Sequence, residues 1–259
     1  MILMIINGLK IFVERDSAEE KQLKKFVGEL VGPKLAEIGL KTRDIDDENV
    51  VRLRSILLAL DFYAENRENL EKLAAMYERD YDKLDTEIRA DILDAKIYLE
   101  PEMVETYLED YQRIADPEVK FELLFAGTIV KDKKTLARMM ELLNQPEIVK
   151  PQDQFHLFIY LYRNQKIKAE VFDWLTHNWD YVAEMSGDKS LDNYPRYTAN
   201  LVRTEAEYTA WKKFFKLKQE MPALARAISV GENEIKARLE LIRADKVAVG
   251  EMLNKCQKI

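Results

Sequence analysis

The stretch ENLEKLAAMYERDYDKLDTEIRADILDAKIYL, residues 68–99, decides the fold. Leu70, Leu73, Met76 (or Tyr77) and Tyr81 recur at a period near 3.6, and Ile88, Ile92, Ala95 and Leu99 repeat it after the polar break DKLD. The periodicity predicts one helix over 68–81 and another over 85–99. Two amphipathic helices joined by so short a link lie antiparallel.

Outward from this pair the pattern continues. The breaks EPE, ADPE, VKDKK and NQPEIVKPQD carry Asp, Pro or Lys, the usual stop and start signals. Pro101, Pro117 and Pro151 each suit a first helical turn, where the missing N–H costs nothing. From about residue 47 to about 165, helices of roughly 13–18 residues follow one another across short gaps. A pair with its loops takes about 30–40 residues, the period of a helical solenoid. The segment RLRSILLALDFY (52–63) is apolar on nearly all sides, as a helix sandwiched between layers should be. The tail reads as one long helix from about Pro222, with Ile228, Ile235, Leu239, Ile242 and Leu253 roughly on one side; Gly231 weakens it without forbidding it. The expected fold is all-α: an α-α superhelix of antiparallel pairs, a HEAT- or armadillo-like arc, ending in a long C-terminal helix. With 8 Gly and 7 Pro in 259 residues, the chain lacks the turn residues of an all-β fold.

Composition narrows the function. Charged residues make up 34% and hydrophobic ones 47%, a globular balance. The net charge of -7 argues against a nucleic-acid partner, since phosphate contacts need Lys and Arg. A single cysteine, Cys256, excludes an internal disulfide and a Cys-based metal site, and favours a reducing, cytoplasmic setting. The opening MILMIINGLKIFV is interrupted by Asn7, Gly8 and Lys10, too short to span a bilayer, and has no basic start or cleavage site. No membrane partner is expected. Because its apolar pattern begins at full strength, residues 1–17 read as the remnant of a preceding helix, cut from a longer chain, and residues 18–259 as a helical-repeat domain.

Chemistry-bearing residues are few. The two histidines, His156 and His177, are far apart and no HExxH is present. Asp173, His177, Asp180 and Glu184 share one helical stripe; read boldly they form a metal-binding edge, read plainly the solvated side of a helix that buries Phe172, Leu175, Trp179 and Val182. His156, among large apolar residues in QDQFHLFIYLY, suits a packed or channel-facing role better than catalysis. No Ser or Cys nucleophile has a recognisable base, and no Gly-rich phosphate loop appears.

VFDWLTHNWD (171–180) resembles the "aWdWLkeNWd" signature of the C-terminal helical domain of zinc aminopeptidases of the aminopeptidase N family. LLNQPEIVKPQDQFHLFIYLYRNQKIK is similar to that family's "LLdpeiVRsQDvlyvlxglaxNpxGr", TEAEYTAWKKFF to its "sTeexlxevexFF", and LARAISVGENEIKARLELIRADKVAV to its closing helix. The match runs in order from about Phe26 to the end, and its wording is closest to aminopeptidases of lactic-acid-type bacteria. Lys150 stands where the family usually has Arg and Pro151 where it has Ser; Leu241 or a neighbour replaces a Trp of the closing helix.

The resemblance implies a parent enzyme that removes N-terminal residues from peptides, with zinc, HExxH and a GxMEN-like loop in preceding domains. It implies that this chain carries no catalytic or metal-binding residue and no cofactor. Its partners would be the catalytic domain of the same polypeptide, which it caps, and the peptides in the chamber it walls. By that reading Phe172, Trp174, Leu175 and Trp179 are core knobs. Lys150, Gln152, Asp153 and His156, at the start of the KPQDQFH helix, face the substrate channel. For Gln152 and Asp153, capping of their own helix is an equal alternative. A helical-repeat scaffold for protein–protein interaction would share this composition and period.

Overall fold

The computed structural model describes residues 1–186 and 190–255, so Cys256 lies outside the described residues. Among these the chain is all-α, without a strand. The helices in order are α1 (Ile2–Leu9), α2 (Ala18–Ile38), α3 (Glu48–Tyr63), α4 (Arg67–Ala74), α5 (Arg89–Leu99), α6 (Met103–Arg113) and α7 (Pro117–Ala126). Then come α8 (Lys133–Glu141), α9 (Pro151–Arg163), α10 (Lys168–His177), α11 (Trp179–Ser186), α12 (Asn193–Leu201), α13 (Glu205–Lys216) and the long α14 (Pro222–Lys255). No helix among the described residues is long and apolar enough to cross a membrane.

Local chemistry starts these helices where the sequence marks them. Ser17, Asp47, Asn66 and Asp116 each cap a following helix by accepting a backbone N–H, worth about 1 kcal/mol apiece. Thr204 and Glu207 form a reciprocal capping box on α13. Pro117, Pro151 and Pro222 occupy first helical positions, while Pro101 sits in the turn just before α6.

The helices fall into two compact units, Met1–Thr135 with Ala248–Ile259, and Leu136–Val247. In the first, α2 packs on α3, α4 on α5, and α6 on α7, while α5 also meets α3 and α7. Successive pairs are thus joined through α5, as in stacked helix pairs. Leu23, Val27, Val31 and Leu35 form the buried stripe of α2, and Ile92, Leu93, Ala95 and Ile97 that of α5. In the second unit α9 is the hub, meeting α10, α11 and α12. Trp211, Phe158, Phe215, Leu157 and Leu175 fill its core.

Two expected helices are shorter. The helix predicted over 68–81 ends at Ala74, and that predicted from 85 begins at Arg89. The reason is Asp110 of α6, which is 1% exposed. It accepts two bonds from Arg79, at 2.9 Å each, one from the Tyr81 hydroxyl at 2.7 Å, and one from Arg113. A buried carboxylate left bare costs several kcal/mol, more than the few helical residues given up. Tyr81 is therefore buried from a 3-10 turn, Tyr81–Lys83, and not from a helix face. A comparable constraint orders the loop before α3. Arg54, 1% exposed, binds the Asp46 carboxylate and the carbonyl oxygens of Ile38 and Gly39.

Candidate functional site

The KPQDQFH segment opens α9. Lys150 is the N-cap and makes no side-chain cap; its carbonyl oxygen accepts from the backbone N–H of Asp153 and Gln154 at 2.8 and 3.1 Å. Asp153 lies in the first turn, where a carboxylate opposes the helix dipole favourably. The neighbouring Gln154 points inward and is buried. Its amide donates to the Val149 carbonyl at 3.4 Å and its oxygen accepts from the Tyr181 hydroxyl at 3.1 Å. This bridge fixes the first turn of α9 against α11.

An open cleft of about 580 Å³ lies over that turn, lined by Gln152, Phe155 and His156 of α9, Met185 of α11, and Asn193 and Tyr197 of α12, among others. The Phe155 ring is held edge-on by Tyr194 at 5.0 Å and Tyr197 at 5.5 Å, with the His156 ring 5.7 Å away. Of the four residues assigned to the channel from sequence, Gln152 and His156 line this cleft, whereas Lys150 and Asp153 do not. Phe155, Asn193 and Tyr197 were not singled out from sequence. Phe155 lies one turn beyond Gln152, and Tyr194 and Tyr197 repeat at i, i+3. Both signals mark a helix face, but neither says that the two faces meet. Among the described residues the cleft offers aromatic edges, amide, hydroxyl and imidazole groups and no carboxylate. It can hold an apolar group and hydrogen-bond its polar rim, and its described residues include no activated nucleophile.

The proposed core knobs divide. Leu175 is fully enclosed and Trp179 is 8% exposed, wedged against Phe214 at 5.4 Å and Phe215 at 5.9 Å. Phe172 and Trp174 are only partly buried. The Trp174 indole N–H donates to Asn144 at 3.0 Å, so one edge of that ring is wet. The single helix expected to carry Asp173, His177, Asp180 and Glu184 is broken at Asn178, where α10 stops and α11 starts. The Asn178 side chain donates back to the Trp174 carbonyl at 2.8 Å, closing the end of α10. The stripe is thereby split between two helices. His177 turns its Nδ1 onto the carbonyl of Asp173 at 2.7 Å.

Among the described residues no three His, Cys, Asp or Glu side chains are grouped to hold a metal ion. The donor set needed for a zinc site is not met by these residues.

Residues 1–237 match the family described as ERAP1-like C-terminal domain. The chain belongs to this family. As an ERAP1-like C-terminal domain it is 31% identical over 255 residues to the aminopeptidase N of Lactococcus lactis subsp. cremoris strain MG1363, covering 96% of this chain and 30% of that protein. It is 29% identical over 253 residues to the aminopeptidase N of Lactobacillus helveticus, covering 95% of this chain and 30% of that one. A shorter match, 40% identical over 75 residues, joins 29% of this chain to 8% of the mouse glutamyl aminopeptidase. The ERAP1-like domain thus spans about 30% of the length of the bacterial relatives it matches.

Proposed function

We propose that this chain is the C-terminal domain of a cytoplasmic, zinc-dependent aminopeptidase that removes N-terminal residues from peptides. It caps the catalytic domain of the same polypeptide and walls the substrate chamber. The observation that carries the reading is the family match over residues 1–237, joined to aminopeptidase relatives of which the chain covers about 30%. The role is steric and electrostatic: a helical wall admits short peptides and excludes folded proteins. The cleft over the start of α9, with Gln152, Phe155 and His156, is the surface of that wall best built to touch a peptide. Zinc and the hydrolytic residues belong to the catalytic domain, and this chain contributes no chemical step.

Deleting residues 18–259 from the parent enzyme tests this. Hydrolysis of a tripeptide should fall strongly; unchanged kinetics would remove the wall from the mechanism. The chain alone should neither turn over aminoacyl-p-nitroanilides nor retain stoichiometric zinc. Activity that co-purifies with it and is lost on chelation would contradict the assignment.

A further inference from the structure

The cleft over α9 is built from two matched pairs of side chains. Gln152 and His156 of α9 are four residues apart, and so are Asn193 and Tyr197 of α12. Residues at that spacing share one helix face, and α12 packs on α9. Each pair sets an amide beside a ring. The Phe155 ring stands between them, 5.7 Å from the His156 ring and 5.5 Å from the Tyr197 ring. It is held from behind by Tyr194 at 5.0 Å, and Tyr194, 4% exposed, leans on the buried Phe158 at 5.1 Å. Tyr197 by contrast is 40% exposed, an aromatic ring left open to solvent on a packed support.

The polar groups of the cleft are unused. The Gln152 and Asn193 amides and the Tyr197 hydroxyl make no hydrogen bond among the described residues. A side-chain amide offers both donors and an acceptor, the complement of a peptide unit. No Lys, Arg, Asp or Glu lines the cleft among the described residues. Lys150 and Asp153 lie outside the lining, and Arg196 of α12 pairs with Asp192 at 4.0 Å. A neutral site gives nothing to offset the hydration that a charged group loses on entry. It therefore disfavours a phosphate, a carboxylate or an ammonium group, and favours an uncharged apolar group flanked by amides. Met185, unbranched and adaptable, forms part of the remaining edge.

We propose that this cleft is a side-chain subsite for a peptide: Phe155 and Tyr197 hold an aromatic or large aliphatic side chain, and the Gln152 and Asn193 amides bond the peptide units on either side of it. The ligand is an interior stretch of peptide and not a free terminus, because both termini carry charge. That such a peptide is a substrate rests on the reading of the chain as a chamber wall. On that reading the cleft selects among substrates by a residue downstream of the bond that is cut. Phe155 and Tyr197 are then specificity residues, away from the reacting atoms.

The test uses the whole chain and capped tripeptides, acetyl-Ala-Phe-Ala-amide and its counterparts with Asp or Lys at the centre. Binding is followed by NMR on the side-chain amide signals of Gln152 and Asn193. The Phe peptide should shift both signals saturably, and the Asp and Lys peptides should do so only at much higher concentration. Tyr197→Ala should weaken binding of the Phe peptide about 3–10-fold. No shift with the Phe peptide overturns the proposal, as do equal affinities for the three peptides. The wild-type titrations need no variant, so a poorly folding mutant does not shelter the idea. The two readings also fail separately. Binding here, with tripeptide kinetics unchanged on deletion of residues 18–259, keeps the subsite and removes the wall. No binding here, with a strong loss on deletion, keeps the wall and removes the subsite.

Discussion

Gly231 and Ala199 touch so closely that a methyl group added to Gly231 would lie 2.9 Å from the Ala199 Cβ. The same methyl would stand 3.3 Å from the Trp211 ring and 3.4 Å from the Pro195 carbonyl oxygen. Gly231 is in the interior of α14, where Ala would normally be the better helix former by about 1 kcal/mol. Contact overrides propensity here. Gly231→Ala should destabilise the chain by about 1–3 kcal/mol, read as a lower denaturant midpoint. A stabilised variant would show that α12 yields.

The Trp211 indole is fully enclosed and donates to the Thr198 hydroxyl at 3.0 Å. Thr198→Val keeps the shape and removes the acceptor. The stranded N–H should cost about 1–3 kcal/mol. Thr198→Ser, which keeps the oxygen, should recover part of it in the same unfolding assay.

Trp179 and Trp174 look equivalent in sequence and differ in burial. Trp179→Ala should cost about 3–5 kcal/mol. Trp174→Ala, with its ring edge on solvent-facing Asn144, should cost clearly less. Equal losses in parallel urea melts would contradict that ranking.

Acid should weaken the link between α2 and α3. Burial alone would raise the Asp46 carboxyl; bonds from Arg43 and Arg54 outweigh it and hold the group down at about 2. A carboxyl depressed in the folded state stabilises above its unfolded value, and that stabilisation is lost as pH falls toward 2. Asp46→Asn should lower Tm at neutral pH and show a smaller further drop between pH 5 and pH 3 than wild type does.

The helical class, the long last helix and the antiparallel pairing of neighbours were legible in the sequence. They rest on periodicity, caps and prolines, which act within one or two turns of chain. Ile92, Ala95, Leu175, Ile228 and Ile235 were assigned to buried faces on that basis and are buried. Where elements stop was not legible. Tyr81 fits the helical period, yet the helix ends earlier because Asp110, 29 residues away, claims its hydroxyl. The run from Phe172 to Val182 reads as one helix, yet Asn178 closes it onto the Trp174 carbonyl. The candidate site divides in the same way. Gln152 and His156 were chosen because a helix start can be read locally. Phe155 and Tyr197 joined them only when α12 was laid beside α9. Gly231 makes the contrast sharpest: by propensity it weakens α14, and in the folded chain it is what lets α14 approach Ala199 and Trp211. Local rules choose the elements because their energies depend on adjacent residues. Buried charges and close contacts choose the boundaries and the site, because their partners come from distant parts of the chain.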